Sequence, residues 1–338
     1  MIISLLILLL LVFTLPFTSK LVSRQLEFFL FFIGLSSVVI SQVLTKELIL
    51  HAMKEPILIT IAVFLASLLF RTYQTYLATV IKTIIDRLSL RLFLFLSILL
   101  LGLASSFITA IIASLLLVMI VSHLHTDRIT QIRFVVLSCF SIGLGAVLTP
   151  IGEPLATIAT NKLDQDFFFL FNLLGKEVLL FILLIALSSF FLLKPKQNTL
   201  HSKFTLEKET FSTISIRTLK IYVFIMGLTL LGAGFEPLIE KFLLNMNPFS
   251  LYWLNIVSAV LDNATLAAAE ISVQMDVSTI KAILMGLMIS GGMLIPGNIP
   301  NIICANKLQI SSKEWAYTGL PIGVLLMVGY FIIMVINI

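Results

Sequence analysis

Charge is what this 338-residue sequence has least of: Asp, Glu, Lys and Arg make up 12% of it, against 59% hydrophobic residues. So little polar surface cannot coat a water-soluble globule, which excludes that class and leaves a chain solvated by lipid. Cysteine is almost missing. Cys139 and Cys304 lie far apart, each inside an apolar segment, which excludes a disulfide framework and a C-x-x-C metal motif and points away from redox chemistry. Acidic residues are few, 17 against 22 Lys and Arg. The net charge of +5 reads as a membrane-topology signal, so no nucleic-acid partner is invoked. There is no G-x-S-x-G motif, and no second intramembrane Asp stands beside Asp262, so the reading is not an enzyme. The first apolar stretch lacks the basic head and A-x-A site of a signal peptide and reads as a first span.

What is present is a series of long apolar runs. A helix rises ~1.5 Å per residue and a hydrocarbon core is ~30 Å thick, so one crossing takes ~20 residues. That ruler gives about eight full crossings: 2–18, 28–45, 57–79, 132–162, 167–193, 218–236, 280–306 and 315–337. Two apolar segments do not fit it. Residues 92–122 carry the soft interruption "ASSFIT" and residues 249–275 carry "SAVLDNAT", and each half is too short to cross. Both read as re-entrant hairpins with polar tips; the alternative is one long tilted helix kinked at its Ser-rich centre.

One phrase occurs twice. "GAVLTPIGEPLATIATNKL" (145–163) and "GGMLIPGNIPNIICANKL" (291–308) share paired prolines four residues apart and an Asn-Lys-Leu ending, so both spans break in mid-membrane. With both hairpins re-entrant, one membrane face collects most of the Lys and Arg, among them Arg71, Arg87, Arg128, Arg133 and Lys220. The other face holds Lys46, Lys54, Lys162, Lys241 and Lys281. The basic side is then cytoplasmic and both termini lie outside a cell (inner) membrane. Hairpin plus broken span therefore occurs twice in opposite orientation. Residues 1–193 form a first repeat, 194–217 a cytoplasmic basic linker and 218–338 a second, inverted repeat.

This order of elements, with the phrases "LTPIGEPL", "SAVLDNATLAAAEIS" and "ISGGMLIPGNIPNI", resembles the ion transporter superfamily. That group includes NhaD-type sodium/proton antiporters and divalent anion/sodium symporters, and these phrases look most like a domain-of-unknown-function branch of it. The resemblance implies an all-α inverted-repeat transporter in which hairpins and broken spans move against a scaffold, and a homodimer in the bilayer. It also implies that residues 71–91 form a basic surface helix joining the two parts, with a shorter counterpart at 236–248.

The breaks supply the candidate site: Ser105, Ser106 and Thr109 in the first hairpin, and Ser258, Asp262, Asn263 and Thr265 in the second. Thr149, Glu153 and Thr157 come from the first broken span, and Gly297, Asn298 and Asn301 from the other. Freed carbonyls, hydroxyls and carboxylates suit a hard cation such as Na⁺, while half-helix N-termini suit anions. Two acids near one another, Glu153 and Asp262, decide for a cation or shared protons. Each acid also fits a structural part, Asp262 as an N-cap and Glu153 in a first helical turn, and capping is compatible with ion binding. Lys176, inside a span, is the candidate counter-charge, and Glu270 lies along the same helical face as Asp262. The expected function is secondary transport by alternating access, exchanging Na⁺ or Li⁺ for H⁺, with Na⁺ as transported or coupling ion and no other cofactor. The alternative is a sodium-coupled symporter of a small anion such as a dicarboxylate or sulfate. His123 and His125 beside Asp127 are too slight a pattern to assign a metal.

Overall fold

The computed structural model describes residues 1–19, 21–22, 25–124, 126–193 and 210–336. In chain order the helices are α1 (Ile2–Thr18), α2 (Leu26–Ile40), α3 (Lys46–Lys54), α4 (Pro56–Arg87), α5 (Leu90–His123), α6 (Arg128–Ala146), α7 (Pro154–Lys162) and α8 (Phe169–Leu192). Then follow α9 (Phe211–Leu238), α10 (Pro248–Leu254), α11 (Asn263–Glu270), α12 (Val277–Gly291), α13 (Ile299–Leu308) and α14 (Ser312–Ile336). No strand occurs among the described residues. Among the described residues six helical stretches are long and apolar enough to cross a membrane, and α2 and α12 are shorter apolar helices. The chain is an all-α polytopic membrane protein.

Burial sorts these helices. The most apolar window of α6 is 83% buried and that of α5 78%, against 28% for α14. So α5 and α6 are enclosed by protein, whereas α14 turns apolar side chains such as Leu325 and Ile332 outward, as a lipid-facing helix does. On the other flank α2 packs along α9. Small residues permit this: a Cβ on Gly34 would stand 2.4 Å from Gly227 O, so the two backbones nearly touch.

The helix α5 is not straight. Thr109 has φ 72° and ψ 151°, which interrupts it in mid-course. Beyond that point Ala110 N–H donates to Gly152 O at 2.8 Å. Ser141 Oγ donates to Ile98 O at 2.9 Å, and Thr149 Oγ1 donates to Ser106 O; both pairs are 43 residues apart in sequence. A constant offset means that the first half of α5 runs parallel to α6. Residues 124–127 are all that join α5 to α6, so the half of α5 after Thr109 doubles back. The same pattern recurs later. Asn255 Nδ2 donates to Ile283 O at 3.5 Å and Ser258 Oγ to Leu287 O at 3.2 Å, offsets of 28 and 29. There α10 and the 3₁₀ turn Asn255–Ala259 run parallel to α12, and α11 returns.

Both broken spans are interrupted at their prolines. Between α6 and α7 the chain leaves the helix over residues 147–153, and between α12 and α13 it passes through a 3₁₀ turn, Ile295–Gly297. Pro150 and Pro296 have no N–H to continue a helix. Gly297 is required for space, because a Cβ there would stand 2.3 Å from Ser258 O.

Some expected boundaries differ. Residues 71–91 do not form a separate surface helix: α4 runs unbroken from Pro56 to Arg87, since "RTYQTYLATVIKTIIDR" contains neither Gly nor Pro to stop it. In place of a second connecting helix at 236–248, α9 ends in a π-helical turn, Ile239–Leu243. Of the expected linker, 194–209 lies outside the described residues, and 211–217 is already the first two turns of α9.

Candidate functional site

Four helices begin inside the protein, and each opens with a candidate residue. Thr109 heads the returning half of α5, and its Oγ1 accepts Ile112 N–H at 3.4 Å. Asp262 is the N-cap of α11; its Oδ2 accepts Thr265 N–H at 2.9 Å and Thr265 Oγ1–H at 3.0 Å. Glu153 and Asn298 are the N-caps of α7 and α13, both in extended conformation, and neither side chain makes a capping bond. Helix starts leave backbone N–H groups without intrahelical partners and carry partial positive charge. Side chains that only capped would satisfy those groups, as Asp262 does. Glu153 does not.

Instead Glu153, 3% exposed, turns into a cavity of about 520 Å³. Thr109, Gly152 and half-buried Asp262 line the same cavity. The two carboxylates are within electrostatic reach of each other, and Asn263 lies beside Glu153. Glu153 Oε1 and Asn263 Nδ2 are both buried, an amide donor beside a carboxylate acceptor. The cavity continues along α4 and α9 to Glu27, Arg217 and Lys220, where Lys220 Nζ pairs with Glu27 Oε2 at 3.4 Å and Arg217 Nη2 donates to Ser67 Oγ at 3.0 Å.

The other expected residues fall elsewhere. Ser105 Oγ donates to Gly102 O and Ile142 O, Ser258 Oγ to Leu287 O, and Thr149 Oγ1 to Ser106 O, so these hydroxyls stitch helices together. Thr157 Oγ1 closes the first break by donating to Pro150 O at 2.6 Å. Asn301 Nδ2 closes the second, donating to Gly291 O and Leu294 O, both at 2.8 Å. Asn298 is buried against Gly143, with its Oδ1 unpartnered among the described residues. Lys176 is exposed on α8 and is not in the cavity wall, so it is not brought to the acids; the adjacent Glu177 instead pairs with Lys281 Nζ at 2.6 Å. Glu270 lies in a separate apolar cavity with Leu6 and Phe235. His123 Nδ1 contacts Met119 O at 2.8 Å, and His125 lies outside the described residues.

Sequence reasoning missed Glu55. Its side chain is 3% exposed and holds Asn161 Nδ2 and Thr229 Oγ1. The signal was available: "KEP" at 54–56 repeats the Glu-Pro pair of 153–154, a carboxylate just ahead of a helix whose first residue is proline.

Fold and site together define a membrane-embedded bundle with interrupted helices and buried carboxylates at their starts. Residues 2–337 match the profile of the DUF1646 family, described as proteins of unknown function, and the chain belongs to that family. No curated protein matches it.

Proposed function

We propose that this protein is a secondary active transporter, a Na⁺(Li⁺)/H⁺ antiporter that exchanges the two ions at Glu153 and Asp262. The carrying observation is that an acid from each half of the chain lines one cavity, Glu153 being buried there with no capping bond from its side chain to α7. Two carboxylates in a site of low dielectric attract a metal cation or take up protons, and one resident excludes the other. In this reading the segments that double back at Thr109 and near Asp262 are re-entrant hairpins. The two hairpin and broken-span units are then inverted repeats, about eight crossings result, and both termini lie outside an inner membrane. The cavity mouth at Glu27, Arg217 and Lys220 faces the cytoplasm. Movement of the hairpin units against α2, α4 and α9 alternates access, and assembly as a homodimer follows from the family resemblance.

Arg217 and Lys220 in the same wall favour a second reading, sodium-coupled symport of a small dicarboxylate or sulfate. Lys220 is neutralised by Glu27, which weakens it.

One assay separates the two. In everted vesicles with a preformed pH gradient, addition of Na⁺ collapses the gradient if the protein is an antiporter, and Glu153→Gln or Asp262→Asn abolishes the response. Sodium-stimulated uptake of a labelled anion without collapse would establish the symporter instead.

A further inference from the structure

A smaller cavity of about 260 Å³ lies against the first break, lined by His51, Lys54, Glu55, Ile59, Ile151 and Asn161 among others. Ile59 and Ile151 line the large cavity as well. Their side chains stand between the two spaces. Along α4 the smaller cavity takes Glu55 and Leu58 and the larger takes Val63, with Ile59 common to both. Along α9 the larger cavity spans Thr213 to Phe224, whereas Thr229, further along, reaches Glu55. The cavities therefore lie end to end on one axis, and they open toward opposite ends of α4 and α9.

At the bottom of the smaller cavity sits a carboxylate whose surroundings suit both of its protonation states. Asn161 Nδ2 donates to Glu55 Oε1 at 3.0 Å. Thr229 Oγ1 donates to Glu55 Oε2, yet Ile225 O is also within its reach at 3.0 Å. A hydroxyl is one donor and two acceptors. When Glu55 is ionised, Thr229 gives it a hydrogen bond. When Glu55 takes a proton from hydronium, the new O–H donates to Thr229 Oγ1 and the Thr229 hydrogen turns to Ile225 O, leaving water as the product. The charged and titratable groups nearby are His51, its Nε2 3.7 Å from Glu55 Oε2, and Lys54 in the same cavity wall. Tyr222 donates to Met53 O at 2.7 Å. From α7 and α9 the groups bonded to Glu55 are the neutral Asn161 and Thr229.

We infer that Glu55 is a proton-accepting station on the far side of the Ile59–Ile151 partition from Glu153, filled from the face opposite the large cavity. This rests on the antiporter reading for its place in an exchange cycle. Asn161 and Glu153 lie at opposite ends of the same short helix α7, so one element reaches both acids.

Infrared difference spectra of the purified protein between high and low pH test the station without any transport. A protonated-carboxyl band that is lost in Glu55→Gln and retained in Glu153→Gln is the expected result; a band unaffected by Glu55→Gln overturns the inference. Should Glu55→Gln fail to fold, Thr229→Val keeps the acid and removes a donor to its ionised form. The band then titrates at higher pH, and an unchanged titration overturns the inference equally. Single cysteines at Lys54→Cys and Thr213→Cys, in a background with Cys139 and Cys304 replaced by Ser, are expected to label with an impermeant maleimide from opposite faces. Labelling of both from one face overturns the two-sided arrangement. Loss of the band in Glu55→Gln without any Na⁺-driven collapse of a pH gradient would refute antiport and leave the proton site standing.

Discussion

Thr109 and Asp262 hold corresponding positions in the two doubled-back segments: the side chain of each accepts the backbone N–H three residues on, from Ile112 and from Thr265. The geometry is shared and the charge is not, so capping and ion exchange separate at Asp262. Asn caps a helix about as well as Asp. Asp262→Asn is therefore expected to change stability by less than about 0.5 kcal/mol while abolishing Na⁺-dependent collapse of a pH gradient. Asp262→Ala loses the cap too and costs about 1 kcal/mol more. Thermal unfolding in detergent read beside the vesicle assay decides this, and an Asp262→Asn protein that still exchanges would remove the carboxylate from the mechanism.

At Thr109 the backbone itself is strained. Its φ of 72° with ψ of 151° falls where residues other than glycine pay about 1–3 kcal/mol. Its capping bond is long at 3.4 Å and returns little. Thr109→Gly is expected to raise the unfolding midpoint by an amount equivalent to about 1 kcal/mol. Thr109→Val, which keeps the strain and loses the hydroxyl, is expected to lower it.

The breaks were legible because Pro and Gly mark them in the sequence, and Glu153 and Asp262 because carboxylates are rare in apolar segments. The fates of Ser105, Ser258 and Thr149 were not legible. A hydroxyl near a helix break serves equally as an ion ligand or as a donor to a neighbouring carbonyl, and the parallel packing of the first half of α5 on α6, and of Asn255–Ala259 on α12, chose the second. Lys176 was misplaced because a helix rotates 100° per residue: Glu177 turns inward to Lys281 while Lys176 points out. The contact between Cys139 and Cys304 follows from packing α6 against α13, a long-range pairing that no local pattern records.

Lys162 joins three helices at the C-terminal end of α7. Its Nζ donates to Ala268 O at 3.0 Å and Gly232 O at 3.3 Å, and lies 3.4 Å from Glu236 Oε2, whose other oxygen accepts Ser272 Oγ–H at 2.6 Å. Each partner removed singly leaves polar groups behind. Lys162→Met and Glu236→Gln are each expected to cost about 1–3 kcal/mol. The double variant should cost less than their sum, with a coupling of about 1 kcal/mol in a double-mutant cycle. Strict additivity would show that the pair contributes nothing.

Asp276 gives the pH dependence, because it lies ahead of α12 and outside the apolar helix. Its carboxylate accepts hydrogen bonds from Ser278 and Thr279, which hold its pKa below the usual value of 3.8. A depressed acid stabilises the fold above its unfolded pKa and loses that contribution as pH falls through its folded one. Asp276→Ala is thus expected to cost about 1 kcal/mol at neutral pH. The difference from wild type should shrink below about pH 4, where the acid is protonated in the unfolded chain. Unfolding midpoints of both proteins across pH 3 to 7 check this, and a constant difference would contradict the capping role.

The doubling back of α5 is the feature on which the hairpin reading depends, and it has a direct test. In a straight α5, Ile98 lies 25 residues before His123 and Ser141 lies 13 residues after Arg128. At ~1.5 Å per residue, antiparallel packing of two straight helices would separate them by roughly 18 Å along the axis. In the folded chain Ser141 Oγ is 2.9 Å from Ile98 O. Ile98→Cys with Ser141→Cys, in a background lacking Cys139 and Cys304, is therefore expected to cross-link with a short bifunctional thiol reagent. The packing is also tight: a Cβ on Gly145 would stand 1.8 Å from Gly102 O. Gly145→Val is accordingly expected to destabilise by about 1–3 kcal/mol through overpacking. A protein that tolerated Gly145→Val and failed to cross-link would have a straight α5, and without the reversal Thr109 would not start a helix at the cavity beside Glu153.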